Sequence, residues 1–270
     1  MNTDIIKEKQ DLTYLNWSHI RSSSGTAGTF LKSESSLNGG KIYYKLSNFD
    51  PVNGIIGHEC INEVIVDRLL TILGIEHLPY QLINAAIEIE GQNYETYLCA
   101  SQDFKKRGES KIALDDYYRT NAFKGESHYD FCVRQGWQDY IDRMIAVDYL
   151  ILNRDRHGAN IEVLRNARAH TLRIAPLFDH GLSLMYSCLS EKDIEKFDIL
   201  EDRRCQNFIG SFSCYENLNY IQNKKNIFEH RLMESDKEKI FGDLDGILDG
   251  KFIDKLWDMI YTRYKIYENL

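Results

Sequence analysis

A buried helix that runs without a break into eight polar residues limits this chain more than any other feature. From Trp137 to Leu152, Tyr140, Ile141, Met144, Ile145, Asp148 and Leu152 step around a helix with few polar interruptions. Asn153-Arg154-Asp155-Arg156-His157-Gly158-Ala159-Asn160 follows at once. Two strand-like stretches, IEVL and TLRIAPLFD, then flank a loop at Asn166–His170. A helix and a hairpin are rigid supports, and a polar loop slung between them presents its side chains to a cleft. Asp155 and Asn160 stand five positions apart, and Asp179, within Phe178-Asp179-His180-Gly181, comes nineteen positions later at the expected end of a strand.

That set suits phosphoryl transfer. The reaction needs a carboxylate to orient an attacking hydroxyl and accept its proton, and oxygen ligands for the magnesium that bridges the phosphates. Asp155 is expected to be the base or orienting group, with Asn160 and Asp179 as metal ligands. An Asp-x-x-x-x-Asn spacing alone recurs by chance, and Asp-x-Gly is a common turn. Their combination on helix, loop, strand, strand and aspartate matches the protein-kinase pattern, with Asp179-His180-Gly181 standing where Asp-Phe-Gly would.

The first hundred residues supply the expected partners. A small polar stretch, SSSGTAGTFLK from Ser22 to Lys32, carries Gly25 and Gly28. From Ser24 to Thr29 (Ser24, Gly25, Thr26, Ala27, Gly28, Thr29) its backbone amides could cradle phosphates. It is not a Walker A loop, because Gly-x-x-x-x-Gly-Lys-Ser/Thr is absent. After a turn at Asn38-Gly39-Gly40, KIYYKLS reads as a strand carrying Lys45, which could reach phosphates. A helix over roughly His58 to Leu73, stopped by Gly74, offers Glu63 to hold Lys45, with Glu59 one turn earlier competing for the role. Strands near Gln81–Glu90 and Tyr94–Ser101 follow. Ala100-Ser101-Gln102 sits where a hinge would bond adenine through its backbone. Glycine loop, strand lysine, helix glutamate, catalytic loop and metal aspartate come in the order used by kinases.

Apolar residues make up 43% of the 270 and charged residues 27%, which indicates a folded globular chain. Prolines occur only at Pro51, Pro79 and Pro176, and no Gly/Ser-rich linker divides the sequence, so lobes of one fold are expected. The net charge of −8 argues against direct nucleic-acid binding. No apolar run reaches membrane-spanning length, and MNTDIIKEKQ lacks the apolar core of a secretory signal, so a cytoplasmic location is expected. The six cysteines have no zinc spacing and read as free buried thiols. Phe252, Leu256, Trp257, Ile260 and Tyr264 share a helix face near the end, and the last hundred residues read as helical.

Through SSSGTAG, YYKLS, INEVIVDRLLTILGI, VDYLILNRDRHGAN and IAPLFDHG, roughly residues 20–185, the chain resembles the HipA-like kinases, and its Asp-Arg-His-x-x-Asn core is also similar to the phosphatidylinositol kinase catalytic loop. The resemblance implies an α+β, two-lobed protein-kinase-like fold, with a small β-rich N-lobe (1–103) bearing one helix and a mostly helical C-lobe (104–270). It implies ATP and magnesium between the lobes, Asp155 as catalytic aspartate, Asn160 and Asp179 as magnesium ligands, Lys45 on the phosphates and Glu63 as its helix partner. His157 falls on a nucleotide-contacting position, and Ser22, Ser23 and Ser24 fall near a serine autophosphorylated in some members. The amino-terminal domain of HipA toxins has no counterpart in the twenty or so residues before the loop, which brings the chain closer to stand-alone HipA-like Ser/Thr kinases. The Glu-Arg-Phe of the HipA hinge is also missing. The implied partners are a Ser/Thr protein substrate, the chain itself included, and an antitoxin-type regulator. Kinases of a small molecule, a lipid head group or RNA, and a nucleotide-binding pseudokinase, remain alternatives on the same fold.

Overall fold

The structure, a computed structural model, describes residues 4–20, 27–37 and 40–270, the side chains of 19, 20, 27–29 and 37 excepted. In chain order the first part holds β1 (Ile5–Asp11), β2 (Ser18–Ile20), β3 (Ala27–Leu37), β4 (Gly40–Lys45), a short hairpin of β5 (Phe49–Asp50) and β6 (Gly54–Ile55), helix α1 (Glu59–Leu73), β7 (Gln81–Ile89) and β8 (Gln92–Gln102). Six of these strands form one sheet in the order β1-β7-β8-β4-β3-β2. All neighbours are antiparallel except β1, which adds to β7 in parallel. That strand has no sequence signature: IIKEKQD is too polar to alternate, and pairing with β7 makes it a strand. A tertiary clamp holds its start, since Asp4 takes a bidentate pair from Arg68 of α1 at 2.7 and 3.0 Å.

Chain direction then changes at β9 (Ser110–Ala113), followed by α2 (Leu114–Asn121), α3 (His128–Arg134) and α4 (Gln138–Ile151). Next come β10 (Asp155–Arg156), β11 (Glu162–Asn166), β12 (Thr171–Ile174), α5 (Glu191–Lys196), β13 (Gln206–Asn207), α6 (Cys214–Asn217), α7 (Lys237–Phe241) and α8 (Gly250–Glu268). The hairpin β11–β12 takes β9 on its other edge, and β10 pairs with β13 in parallel. Strand β12 ends at Ile174, shorter than TLRIAPLFD suggests, because Pro176 interrupts it. Asp179 therefore sits on a loop. Between Tyr186 and Asp249 the helices have only four to six residues, so the helical reading of the last hundred residues holds mainly for α8.

The sheet separates two cores. One face, with Leu31, Tyr44, Leu46, Ile87 and Leu98, closes over Leu12 and Leu15 from the segment after β1. The other takes α1, whose Val64, Ile65, Leu69 and Leu73 are wholly buried, in a cluster that continues without a gap through α4 to Leu256 and Ile260 of α8. Gly74 ends α1 in the left-handed region at φ 71°. All six cysteines are buried and free. Among the described residues no helix is long and apolar enough to cross a membrane.

His58, which precedes α1, joins the two regions: its Nε2 lies 3.2 Å from Met185 O and its ring meets Phe252 edge-on at 4.7 Å. Burial pushes its pKa down to about 4. The unfolded chain therefore holds the extra proton between pH 6.5 and 4, and stability falls as pH drops through that window. We expect a loss of about 3 kcal/mol from this group across it. Urea unfolding at pH 7 and pH 4.5 should show that His58→Gln, less stable at neutral pH, has a shallower pH slope than the parent.

Candidate active site

Lys45 ends β4 on the side of the sheet that faces the C-terminal region. Its Nζ lies 2.8 Å from Glu63 Oε1 and 2.5 Å from Asp179 Oδ1, with the Phe30 ring 5.0 Å away. Glu63 is fully buried and Lys45 nearly so. Burial opposes the ammonium, but the carboxylates of Asp179 and Glu63 outweigh it and hold the lysine pKa well above its ordinary value. Glu59 is turned elsewhere, its Oε2 accepting the Asn48 backbone N–H at 3.2 Å. The competition between the two glutamates is settled by which face of α1 meets β4.

Glu63 does a second task. Its Oε2 accepts the backbone N–H of His180 at 2.8 Å, so one carboxylate holds both the lysine and the residue after Asp179. The His180 ring lies 3.9 Å from the same oxygen, yet burial, aided by Arg156, pushes its pKa well below the ordinary value, so this contact is not an ion pair. Asn62 donates to the Gly181 and Ser183 carbonyls at 3.0 and 3.1 Å, and Tyr80 Oη accepts the Asp179 N–H at 3.2 Å. Asp179 itself has φ 59°, a left-handed backbone that a β-carbon disfavours, held by these contacts on either side.

The polar loop after α4 is anchored by a charge pair with almost no exposure. Arg156 Nη2 and Asp148 Oδ1 are 3.1 Å apart, their side chains 0% and 2% exposed. The same guanidinium donates to the Phe178 carbonyl at 2.8 Å, and Asn153 ties Asp148 Oδ1 (2.8 Å) to the Asp155 N–H (3.1 Å). Arg156 thus couples the loop carrying Asp155 and Asn160 to the loop carrying Asp179. It sits inside the motif, but sequence reasoning assigned it no role, nor any to Asp148, Asn153, Asn62 or Tyr80. An arginine and an aspartate eight positions apart, one inside an apolar helix, are the signal that could have found the pair.

Asp155 is held at both oxygens. Asn160 Nδ2 donates to its Oδ2 at 3.2 Å and to its backbone carbonyl at 2.9 Å. His157 Nδ1 accepts the Ala159 N–H at 3.2 Å, so a neutral ring carries its hydrogen on Nε2, 3.4 Å from Asp155 Oδ1. His157 is therefore turned to Asp155. With its amide nitrogen committed to Asp155, Asn160 presents its oxygen on the opposite side.

A cleft of about 690 Å³ opens beside Lys45 and Asp179 and runs past Tyr80, Ser101 and Phe178. No protein-family model matches the chain, and no curated protein matches it either. Among solved structures, the Helicobacter pylori proinflammatory kinase CtkA matches with a TM-score of 0.64 over 96% of this chain and 97% of that one, at 16% identity. HipA of Shewanella oneidensis MR-1, solved with HipB and its operator DNA, matches with a TM-score of 0.52 over 92% of this chain and 66% of HipA, at 13% identity. This chain has a HipA-like kinase fold.

Within the HipA-like kinase fold, the phosphate-loop positions Ser24, Gly25 and Thr26 lie outside the described residues, as do Ser22 and Ser23, while Ala27, Gly28 and Thr29 begin β3. The three residues expected at the hinge, Ala100-Ser101-Gln102, differ in where their backbone groups are directed. Ala100 is buried in the sheet, registered with Gln81 and Tyr44, and Ser101 is registered with Tyr43. The Asp103 N–H turns to Lys41 O at 3.1 Å, so the alternate residue Gln102 directs its N–H and C=O to the other edge, beyond the start of β7 at Gln81. Gln102 is the one of the three whose backbone is directed to the open edge.

Gly158 lies close against α2. A β-carbon there would collide with the Asp115 carboxylate on α2, so a side chain at this position forces either that carboxylate or the Asp155 loop to move. Gly158→Ala is expected to lower activity by an order of magnitude or more, and adding Asp115→Ala should recover most of it, as read in initial-rate assays of the single and double variants.

Proposed function

We propose that this chain is an ATP- and magnesium-dependent phosphotransferase, and specifically a Ser/Thr protein kinase that phosphorylates itself. One observation carries the reading. A single buried glutamate holds both Lys45 and the Asp179 loop, while Arg156 ties that loop to the one bearing Asp155 and Asn160. The lysine, the two aspartates and the asparagine thereby form one rigid unit.

In this reading Lys45 neutralises phosphate oxygens, with Glu63 keeping it in place and charged. Asp179 Oδ1 and Asn160 Oδ1 are the oxygens that would hold magnesium. One carboxylate and one amide suit an ion that keeps water and phosphate among its ligands. When bound, the ion would offset charge developing on the phosphates. Asp155, fixed by His157 and Asn160, orients the acceptor hydroxyl. The hydroxyl oxygen bonds to the γ-phosphorus, the bond to the β,γ-bridging oxygen breaks, ADP leaves, and the proton passes to Asp155. Binding requires Lys45 to share its contact with Asp179, since the two now touch. An antitoxin-type regulator, like the HipB bound to the HipA neighbour, belongs to the same reading.

The test is purified protein with γ-labelled ATP, with magnesium or with chelator. Magnesium-dependent self-labelling that maps to Ser22, Ser23 or Ser24 is the expected result. Label in a small molecule, lipid or RNA instead of protein would move the acceptor class. A thermal shift with nucleotide but no transfer to any acceptor would leave a nucleotide-sensing protein and overturn the proposal.

A further inference from the structure

The segment between α1 and β7 is pinned by a charged pair, Asp67 and His77, that does not line the cleft. The His77 ring has an acceptor at each nitrogen: Nε2 lies 2.7 Å from Asp67 Oδ1, and Nδ1 lies 2.6 Å from the Ile75 carbonyl oxygen. Neither oxygen can donate, and a neutral imidazole carries only one N–H. Both contacts are hydrogen bonds only when the ring is an imidazolium. The other Asp67 oxygen, Oδ2, accepts the backbone N–H of Tyr80 at 2.7 Å. The His77 and Asp67 side chains are 10% and 12% exposed, so solvent screens this pair far less than a surface one. Around His77 also stand Thr71 Oγ1 at 3.4 Å, the exposed Glu76, and His180 of the Asp179 loop, whose ring the His77 charge helps to keep neutral.

We infer that His77, locked to Asp67 as an imidazolium, is a positioning residue for the Asp179 loop and sets an upper pH limit on phosphoryl transfer, an inference that rests on the kinase reading above. Two connections carry it. His77 forms a backbone bridge with Leu177, two residues before Asp179. The Leu78 N–H donates to Leu177 O at 2.8 Å and the Leu177 N–H to Glu76 O at 3.3 Å. The second connection runs through Asp67 to the Tyr80 N–H, and Tyr80 Oη in turn accepts the Asp179 N–H at 3.2 Å. Asp179 keeps its left-handed backbone, at φ 59°, only while supports of this kind hold it. Burial opposes the His77 charge, but Asp67 and the Ile75 carbonyl outweigh it and hold the ring's pKa above its ordinary 6.5. The folded protein therefore keeps this proton at neutral pH, and the support is lost as pH rises through the folded value. On deprotonation one ring nitrogen faces an oxygen with no hydrogen between them, which loosens the segment that carries Tyr80.

Two measurements on the full-length protein test this. Nitrogen NMR of the histidine rings across a pH series, with His77 assigned by its absence in His77→Gln, should show both ring nitrogens protonated at neutral pH and a midpoint above 6.5. The Asp179 amide resonance should move with the same midpoint. Single-turnover transfer from labelled ATP with magnesium should fall about tenfold as pH rises through it. Asp67→Asn should lower the ring's midpoint and carry the upper limit of the rate down with it. His77→Gln should be about tenfold slower at neutral pH and show no such limit. If His77 only braced the fold, both variants would be slower to the same degree at every pH, with the limit unmoved. That result, a neutral ring at neutral pH, or an Asp179 amide indifferent to His77 would overturn the inference. A parent that transfers no phosphate while its Asp179 amide follows His77 would remove the kinase reading and leave the support of the loop standing. Should both variants fail to fold, the parent's ring and amide titrations still decide.

Discussion

Asp155→Asn should fold as the parent does and transfer phosphate about a hundred to ten thousand times more slowly. The asparagine keeps the shape and can still meet Asn160 and His157 after an amide flip, so packing is nearly unchanged. What is lost is the negative charge that, in the proposed reaction, orients the acceptor hydroxyl and takes its proton. Asp155 is half-buried and, among the described residues, has no buried cationic partner. Removing its charge therefore leaves no stranded countercharge, and the melting temperature should move by no more than about 2 °C. Nucleotide affinity should be nearly retained, because Lys45, Glu63 and Asp179 are untouched. The measurement is a single-turnover rate with labelled ATP beside a thermal melt. A normal rate in this variant would remove Asp155 from the chemistry.

Arg156→Met has its largest effect on stability. The Asp148 carboxylate, 2% exposed, would remain in the core without the guanidinium that offsets its charge. Burial alone opposes the charged arginine, but the Asp148 carboxylate more than offsets this and raises the Arg156 pKa. Breaking such a pair from one side costs about 3–5 kcal/mol, whereas replacing both partners with apolar residues of similar volume is often near neutral. We expect urea unfolding to show a loss of that size in Arg156→Met and recovery of most of it in Arg156→Met with Asp148→Leu. Activity should separate from stability. The double variant regains its fold but not its rate, because the Phe178 carbonyl has still lost the donor that ties it to the Asp155 loop. A double variant as active as the parent would show that Arg156 is structural only.

Asp155, Asn160, Asp179, Lys45 and Glu63 could be chosen from the chain alone because each sits at a fixed offset from an element with its own periodicity. The α1 and α4 helices announce themselves through residues that repeat at 3.6 positions, and β4, β7 and β8 through β-branched and aromatic content. Once those elements are placed, the spacing of the polar residues between them needs no tertiary information. The order of the five residues along the chain, and the mixed α+β class, follow from the same local patterns.

Other features depend on distances that sequence cannot encode locally. Glu59 and Glu63 lie one turn apart on α1, and only the rotation of the helix against β4 selects Glu63 for Lys45. The polar strand β1 exists because β7 offers it an edge. The Gln102 backbone is directed to an open edge because β7 begins at Gln81, a matter of register between strands. The Arg156–Asp148 pair requires segments to be folded together before either charge has a reason to be buried. Local pattern determined which residue types stand at which offsets. Packing decided which of them meet, because burial and ion pairing act on distances through space and not on separations along the chain.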